Sequence, residues 1–222
     1  MVNNKKENKK STTSAMEALL GSDLNTSVGN NASTSAVMKG KDLVLLYFSA
    51  SWCPPCRNFT PKLAEFYTQV CTTNGVEIVY ISSDQDEASF NEYFGKMPWA
   101  SLPVFGSSAI KQKLADSLKI SGLPTLVVLD VNTGFFISDN ARFDVAGVCG
   151  NEENSKSLIE SWKSTEAVPI EEATLSGTGP DGIFVKIFKT IISNPMYMVA
   201  LIFMGKKLLK KLEELGSVED EL

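Results

Sequence analysis

The chain has 222 residues, 43% of them hydrophobic and 21% charged, which is ordinary globular composition and enough for one well-filled domain with extensions. A formal charge of -5 leaves no basic surplus, so a nucleic-acid partner has no electrostatic footing. The sequence contains no histidine, which removes Ser-His and Cys-His nucleophile pairs and the commonest nitrogen ligand for a metal.

Residues 1–15 are polar and Lys-rich without an apolar core, and read as a disordered leader rather than a signal peptide. A short apolar patch and a turn-rich segment follow, from Ala15 to Gly40. Leu43 to Phe48 is a continuous apolar run, as expected of a strand buried on both faces. After Ser51 a helical stretch reaches about Thr72, with Phe59, Leu63, Phe66, Tyr67 and Val70 on one face. Pro61 is expected to kink it. Asn74-Gly75 ends that helix, and Val76 to Ile81 predicts a second strand. Strand, helix, strand at this spacing predicts a right-handed crossover between parallel strands.

Further on, a helix is expected over Asp86 to Phe94, a short extended piece over Leu102 to Phe105, and a helix over Ile110 to Leu118. Leu126 to Leu129 predicts a strand, followed by a turn near Asn132-Thr133-Gly134. Arg142 to Val148 predicts a last strand, and Ser155 to Lys163 a last helix. Alternating elements of this kind indicate α/β architecture over residues 16–175. Residues 176–182 (SGTGPDG) read as a flexible linker.

The four cysteines are Cys53, Cys56, Cys71 and Cys149, far too few for a secreted disulfide scaffold. A close Cys pair in a chain of this kind points to a reducing compartment and to reactivity. The pair lies in Ser51-Trp52-Cys53-Pro54-Pro55-Cys56-Arg57, between a buried strand and a helix. A cysteine at a helix N-terminus faces unpaired N–H groups and the positive end of the macrodipole, and both stabilise a thiolate. Free cysteine has a pKa of about 8.5, and Cys-X-X-Cys sites lower it to roughly 3.5–7.5. Cys53 is therefore the expected nucleophile, forming a mixed disulfide that Cys56 resolves.

The two prolines stiffen the loop, and Trp52 supplies an apolar rim for a docking partner. A zinc site needs a second pair at suitable spacing, which Cys71 and Cys149 do not form. An inert structural bridge is the other alternative, but so short a loop gains little closure entropy. Cys71 and Cys149 read as buried filler. Ser121-Gly122-Leu123-Pro124-Thr125 precedes the 126–129 strand, where a proline is ordinarily a turn residue.

Tyr47-Phe48-Ser49-Ala50-Ser51-Trp52-Cys53-Pro54-Pro55-Cys56-Arg57, with Phe59-Thr60-Pro61, Asn91 to Trp99 and Leu123-Pro124-Thr125, resembles the tryparedoxin and nucleoredoxin branch of the thioredoxin superfamily. The resemblance covers about residues 17–165. It implies a thioredoxin fold, a central mixed sheet flanked by helices. It also implies Cys53 as nucleophile, Cys56 as resolving thiol and Pro124 as a cis-proline facing them, with Trp52, Pro54, Leu123 and Pro124 contacting substrate. An ordinary thioredoxin has a buried Asp six residues before its first cysteine, where this chain, like its branch, has Tyr47. Proton handling would then fall to another group; Asp84 is the candidate, a solvated strand-end Asp the alternative. Tryparedoxins flank that Asp with an aromatic residue and an acid, whereas here Ser83 and Gln85 stand there. This favours the nucleoredoxin side and weakens the case for trypanothione as reductant.

Residues 183–204 are strongly apolar but include Lys186, Lys189, Ser193, Asn194 and Pro195; Gly205, Lys206 and Lys207 follow, then Leu208 to Leu215 with more Lys and Glu, and an acidic end. A membrane anchor with the redox domain in the cytosol is the expectation, against an interfacial helix or one packed on the domain. The expected function is thiol–disulfide oxidoreduction on protein disulfides, those of peroxidases included, with an upstream dithiol or flavoenzyme reductant. No cofactor or metal is expected, and the location is expected to be cytoplasmic. The rival reading is a redox-sensitive adaptor that binds a partner with little turnover.

Overall fold

The computed structural model describes residues 15–104 and 106–173. A helix over residues 15–20 (α1) leads into a short antiparallel hairpin, Asp23–Asn25 (β1) with Asn31–Ser33 (β2), and then into Thr34–Val37 (α2). The turn-rich region before Gly40 is thus structured, although its strands are three residues long and show no apolar alternation. Leu43–Ser49 (β3) follows, buried along its whole length. Pro54–Phe66 (α3) then crosses to Val76–Ser82 (β4), which pairs parallel to β3 as the βαβ pattern predicts.

Pro61 lies inside α3 without ending it; the helix departs from α geometry only at Tyr67–Cys71, where it widens into a π turn. Gly75 makes the turn into β4 at a φ of +69°, and a Cβ there would stand 2.8 Å from an Asp42 carboxylate oxygen. Glu87–Phe94 (α4) begins at Asp86, whose side chain accepts from Ser89 N–H. The extended piece that follows is Ala100–Ser101 (β5), two residues earlier than expected and only two residues long, parallel to β4. Ser108–Ser117 (α5) and Thr125–Asp130 (β6) follow, and β6 pairs antiparallel to β3.

Arg142 to Val148 is not a strand. The last strand is Phe136–Ser138 (β7), antiparallel to β6, and Ala141–Val148 (α6) is a helix. The buried residues of this helix are Ala141 and Val145, one helical turn apart, a helical and not a strand spacing. Glu152–Ser164 (α7) completes the set, and Val168 bridges Phe136 beyond it.

The described strands form one mixed sheet in the order β2-β1-β5-β4-β3-β6-β7. Side chains alternate along the central strands. Leu43, Leu45 and Tyr47 join a core with Phe59, Leu63 and Phe66 of α3, Phe90 and Tyr93 of α4, Val145 of α6 and Trp162 of α7. Val44, Leu46 and Phe48 face the other way, toward Met16 and Leu20 of α1 and Leu114 of α5. Helices therefore cover both faces of β3, whose C-terminal end delivers the chain to Ser51 and the cysteine pair. Among the described residues no helix is long and apolar enough to cross a membrane. The leader, the linker and the 183–222 tail, on which the anchor reading rests, lie outside the described residues.

Candidate active site

Cys53 is the N-cap residue of α3, and Pro54 and Pro55 are its first two helical residues. Two of the early N–H groups of the helix are thus absent, and the first that remains, that of Cys56, donates to Cys53 Sγ at 3.3 Å. Cys53 and Cys56 form a disulfide, with Cys53 5% exposed and Cys56 fully buried. Trp52 stands out at 59% exposure, its indole N–H donating to the Ser83 carbonyl at 3.3 Å. Pro54 is exposed as well.

The loop before β6 meets this corner. The Leu123-Pro124 peptide bond is cis, and Leu123 packs against the group formed by Ala50, Cys53 and Cys56. Thr125 Oγ1 donates to the Gly122 carbonyl at 2.7 Å, which ties the loop to the start of the strand. Leu123 is therefore brought against the cysteine pair, with Pro124 next to it in the chain and Trp52 and Pro54 flanking Cys53.

Asp84 is not solvated. It is 8% exposed, and its carboxylate accepts from Ser51 N–H at 2.8 Å, Tyr80 hydroxyl at 2.9 Å and Ser82 hydroxyl at 2.9 Å. On the other side of the same residue, the Arg57 guanidinium donates to the Ser51 carbonyl at 2.8 Å. The residue entering the cysteine loop is thus held through both its backbone groups.

Cys71 is buried, and burial, with Glu77 nearby, pushes its thiol far up from the ordinary value. Cys149 departs from the filler reading: it is partly exposed, and its thiol donates to Glu65 Oε2 at 3.2 Å. Partial burial and that carboxylate raise its pKa. Neither thiol is activated. Among the described residues no cluster of acidic or cysteine side chains could hold a metal ion.

Two features were hidden from the sequence. A cleft of about 270 Å³ beside Pro55 is lined by Phe59 and Lys62 of α3 and by Arg142 and Phe143 of α6, the segment misread as a strand. Arg142 lies over the Phe143 ring at 5.1 Å, and Phe143 is 55% exposed. The second is a buried hydroxyl group behind Cys56, formed by Tyr47, Ser49, Thr60 and Tyr93. Tyr47 and Ser49 share one face of β3, but Thr60 and Tyr93 are too far away in sequence to be suggested by them.

A mixed sheet that sends its central strand into a cysteine-capped helix, opposite a cis-proline, is the arrangement of thioredoxin-fold redox proteins. Residues 40–135 match the family model described as thioredoxin-like. The chain is 46% identical over 99 residues to tryparedoxin of Trypanosoma brucei brucei, covering 45% of this chain and 68% of that one. It is 46% identical over 131 residues to probable nucleoredoxin 1 of Arabidopsis thaliana, covering 57% of this chain but 22% of that relative, about a fifth of its length. The solved structure of a tryparedoxin II complexed with glutathionylspermidine matches with a TM-score of 0.56 and 31% identity, over 60% of this chain and 92% of that one. The chain belongs to the tryparedoxin and nucleoredoxin branch of the thioredoxin superfamily. That membership supports thiol–disulfide oxidoreductase activity over an adaptor role.

Proposed function

We propose that the chain is a protein-disulfide reductase whose working pair is Cys53 and Cys56. The observation that carries this reading is the seat of Cys53: its sulfur caps α3 and accepts the Cys56 N–H, and Leu123 of the cis-proline loop packs against the cluster that Cys53 forms with Ala50 and Cys56. In the reduced state the Cys53 thiolate attacks one sulfur of a substrate disulfide. A Cys53–substrate bond forms and the other substrate sulfur leaves as a thiolate. Cys56 then loses its proton and attacks Cys53 Sγ, which releases the second substrate thiolate and closes the bond present here. Two electrons pass to the substrate, whose sulfurs take up two protons, and a dithiol reductant restores the pair.

Trp52, Pro54, Leu123 and Pro124 form the docking rim in this reading, Trp52 through exposed apolar area and the 123–124 segment through its backbone. Asp84 serves by holding Ser51 rather than by moving protons, since both of its oxygens already accept hydrogen bonds. The substrates are protein disulfides, those of thiol peroxidases among them. The upstream donor is a dithiol or a flavoenzyme; the solved tryparedoxin II is complexed with glutathionylspermidine, a monothiol of the glutathione class.

The test is dithiothreitol-driven reduction of insulin by the full chain. Catalysed turnover that Cys53→Ser abolishes is the expected result. A rate equal to dithiothreitol alone, with the protein folded and its pair reduced, would overturn the reading.

A further inference from the structure

Tyr47 and Ser49 of β3, Thr60 of α3 and Tyr93 of α4 are all buried, and their hydroxyls meet behind the cysteine pair. A hydroxyl has one proton and two lone pairs, so the protons can be followed. The Thr60 proton goes to the Cys56 carbonyl oxygen, at 3.0 Å. Tyr47 and Tyr93, at 2.8 and 2.6 Å from Thr60 Oγ1, must then both donate to it and fill its lone pairs. Ser49 donates to Tyr47 at 3.1 Å, with a longer contact of 3.4 Å to Tyr93. Every bond points toward Thr60, and Thr60 points at Cys56. Bonds aligned in this way polarise and strengthen one another. Burial raises the Tyr47 phenol above its ordinary range, so it stays a donor throughout the pH range in which a cysteine titrates.

Cys56 stands at the junction. Its carbonyl is held by Thr60, and its N–H is the donor on Cys53 Sγ. With prolines at both preceding positions, that N–H is the first the helix can offer to a sulfur at its cap. Three other titratable groups close to the cysteine loop have partners of their own. Tyr80 and Asp84 bond each other at the end of β4, and Arg57 bonds Ser51. Among the described residues, the hydroxyl chain is therefore the side-chain support that reaches Cys56.

We propose that Thr60 is a positioning residue of the redox reaction: driven by Tyr47 and Tyr93, it fixes Cys56 so that its N–H holds the Cys53 thiolate. The proposal rests on Cys53 being the nucleophile. Removing the Thr60 hydroxyl takes away the side-chain bond on the Cys56 carbonyl, which then keeps only its backbone helical partner; this loosens the aim of the N–H and leaves the thiolate less stabilised. The thiolate fraction then falls, and the equilibrium with an external dithiol moves toward the protein disulfide.

The test compares reduced full-length wild type, Thr60→Val and Thr60→Ser, reading the rate of Cys53 alkylation against pH by mass spectrometry of the Cys53 peptide. Thr60→Val is expected to raise the Cys53 midpoint by about one pH unit, the scale of one hydrogen bond. Thr60→Ser, which keeps the hydroxyl, is expected to titrate like wild type. A Thr60→Val midpoint equal to wild type overturns the proposal whatever happens to its melting temperature, as does a Thr60→Ser shift equal to that of Thr60→Val. Should Thr60→Val fail to fold, Tyr93→Phe removes one donor to Thr60; a smaller upward shift supports the proposal and none overturns it. A wild-type Cys53 that titrates like a free thiol and turns over no disulfide would instead overturn the reductase reading itself.

Discussion

The backbone N–H of Ser51 donates to the buried carboxylate of Asp84, 33 residues away, at 2.8 Å. The end of β4 thereby fixes the residue that leads β3 into the cysteine loop. Asp84→Ala would leave the Ser51 N–H and the Tyr80 and Ser82 hydroxyls without that acceptor. Unmet buried donors cost about 1–3 kcal/mol each before relaxation, so a loss of about 2–4 kcal/mol in urea unfolding is expected. A loss below about 0.5 kcal/mol would show that the loop holds itself.

The resolving role of Cys56 predicts a trapped intermediate. Cys56→Ser keeps a thiolate at Cys53 and removes the thiol that would release the substrate. Reaction with a disulfide protein should leave a covalent adduct on non-reducing gels, absent when Cys53 is also replaced. Adducts that persist without Cys53 would move the nucleophile elsewhere.

Trp52 spends 59% of its surface on solvent and makes one hydrogen bond, to Ser83. Trp52→Ala should therefore change stability by about 1 kcal/mol or less. If it forms the docking rim, KM for a protein disulfide should rise about tenfold, equivalent to about 1.4 kcal/mol of lost contact, with kcat little changed. A KM within twofold of wild type would remove Trp52 from the docking surface.

Alkaline pH should unfold the protein steeply. Burial is the main cause holding the Cys71 thiol and the Tyr47, Tyr67 and Tyr80 phenols above their ordinary values in the folded state. Their protons leave the unfolded chain first. The stability that these groups contribute is complete below the unfolded pKa values, near pH 9–10, and is lost as pH rises above them. Each such group lowers stability by about 1.4 kcal/mol per pH unit in that range. Urea midpoints should hold from pH 8 to about 9 and fall increasingly from there to pH 11, and a profile flat to pH 11 would contradict the burial of these groups.

Alkylation should separate Cys53, Cys149 and Cys71 in the reduced protein. At neutral pH Cys53 should label first. Cys149, raised by partial burial and by Glu65, should label slowly and faster as pH increases. Cys71, buried, should label only on unfolding. Peptide mapping after timed iodoacetamide treatment gives the order, and early labelling of Cys149 would reveal an activation that its surroundings do not provide.

The parts of the fold that could be read from the sequence are those where burial is continuous. β3, β4 and β6 are apolar runs because helices cover both of their faces, and the cysteine loop announces itself by placement as well as by spacing. Elements too short to show a period were unreadable: β1 and β2 pair as a local hairpin, and β5 owes its extended form to β4 and β1, neighbours distant in sequence. α6 was misread because only two of its side chains, Ala141 and Val145, are buried, which leaves a weak 3.6-residue signal. Its true form matters, because it brings Arg142 and Phe143 beside Pro55. Thr60 and Tyr93 look like ordinary helix residues. Their meeting depends on the packing of α3 and α4 on one face of the sheet, which no local pattern records.

The pairing of Val168 with Phe136 has a consequence for self-association. Each donates its N–H to the carbonyl of the other, at 2.9 and 2.8 Å, so the segment after α7 occupies hydrogen-bonding groups that β7 would otherwise present to a second molecule. Edge strands with free groups are templates for pairing between chains. Residues 165–173 thus act as a guard on that margin of the sheet. The opposite margin is β2, only three residues long, with its middle residue half-buried and its ends polar, so it too gives a foreign strand little to grip.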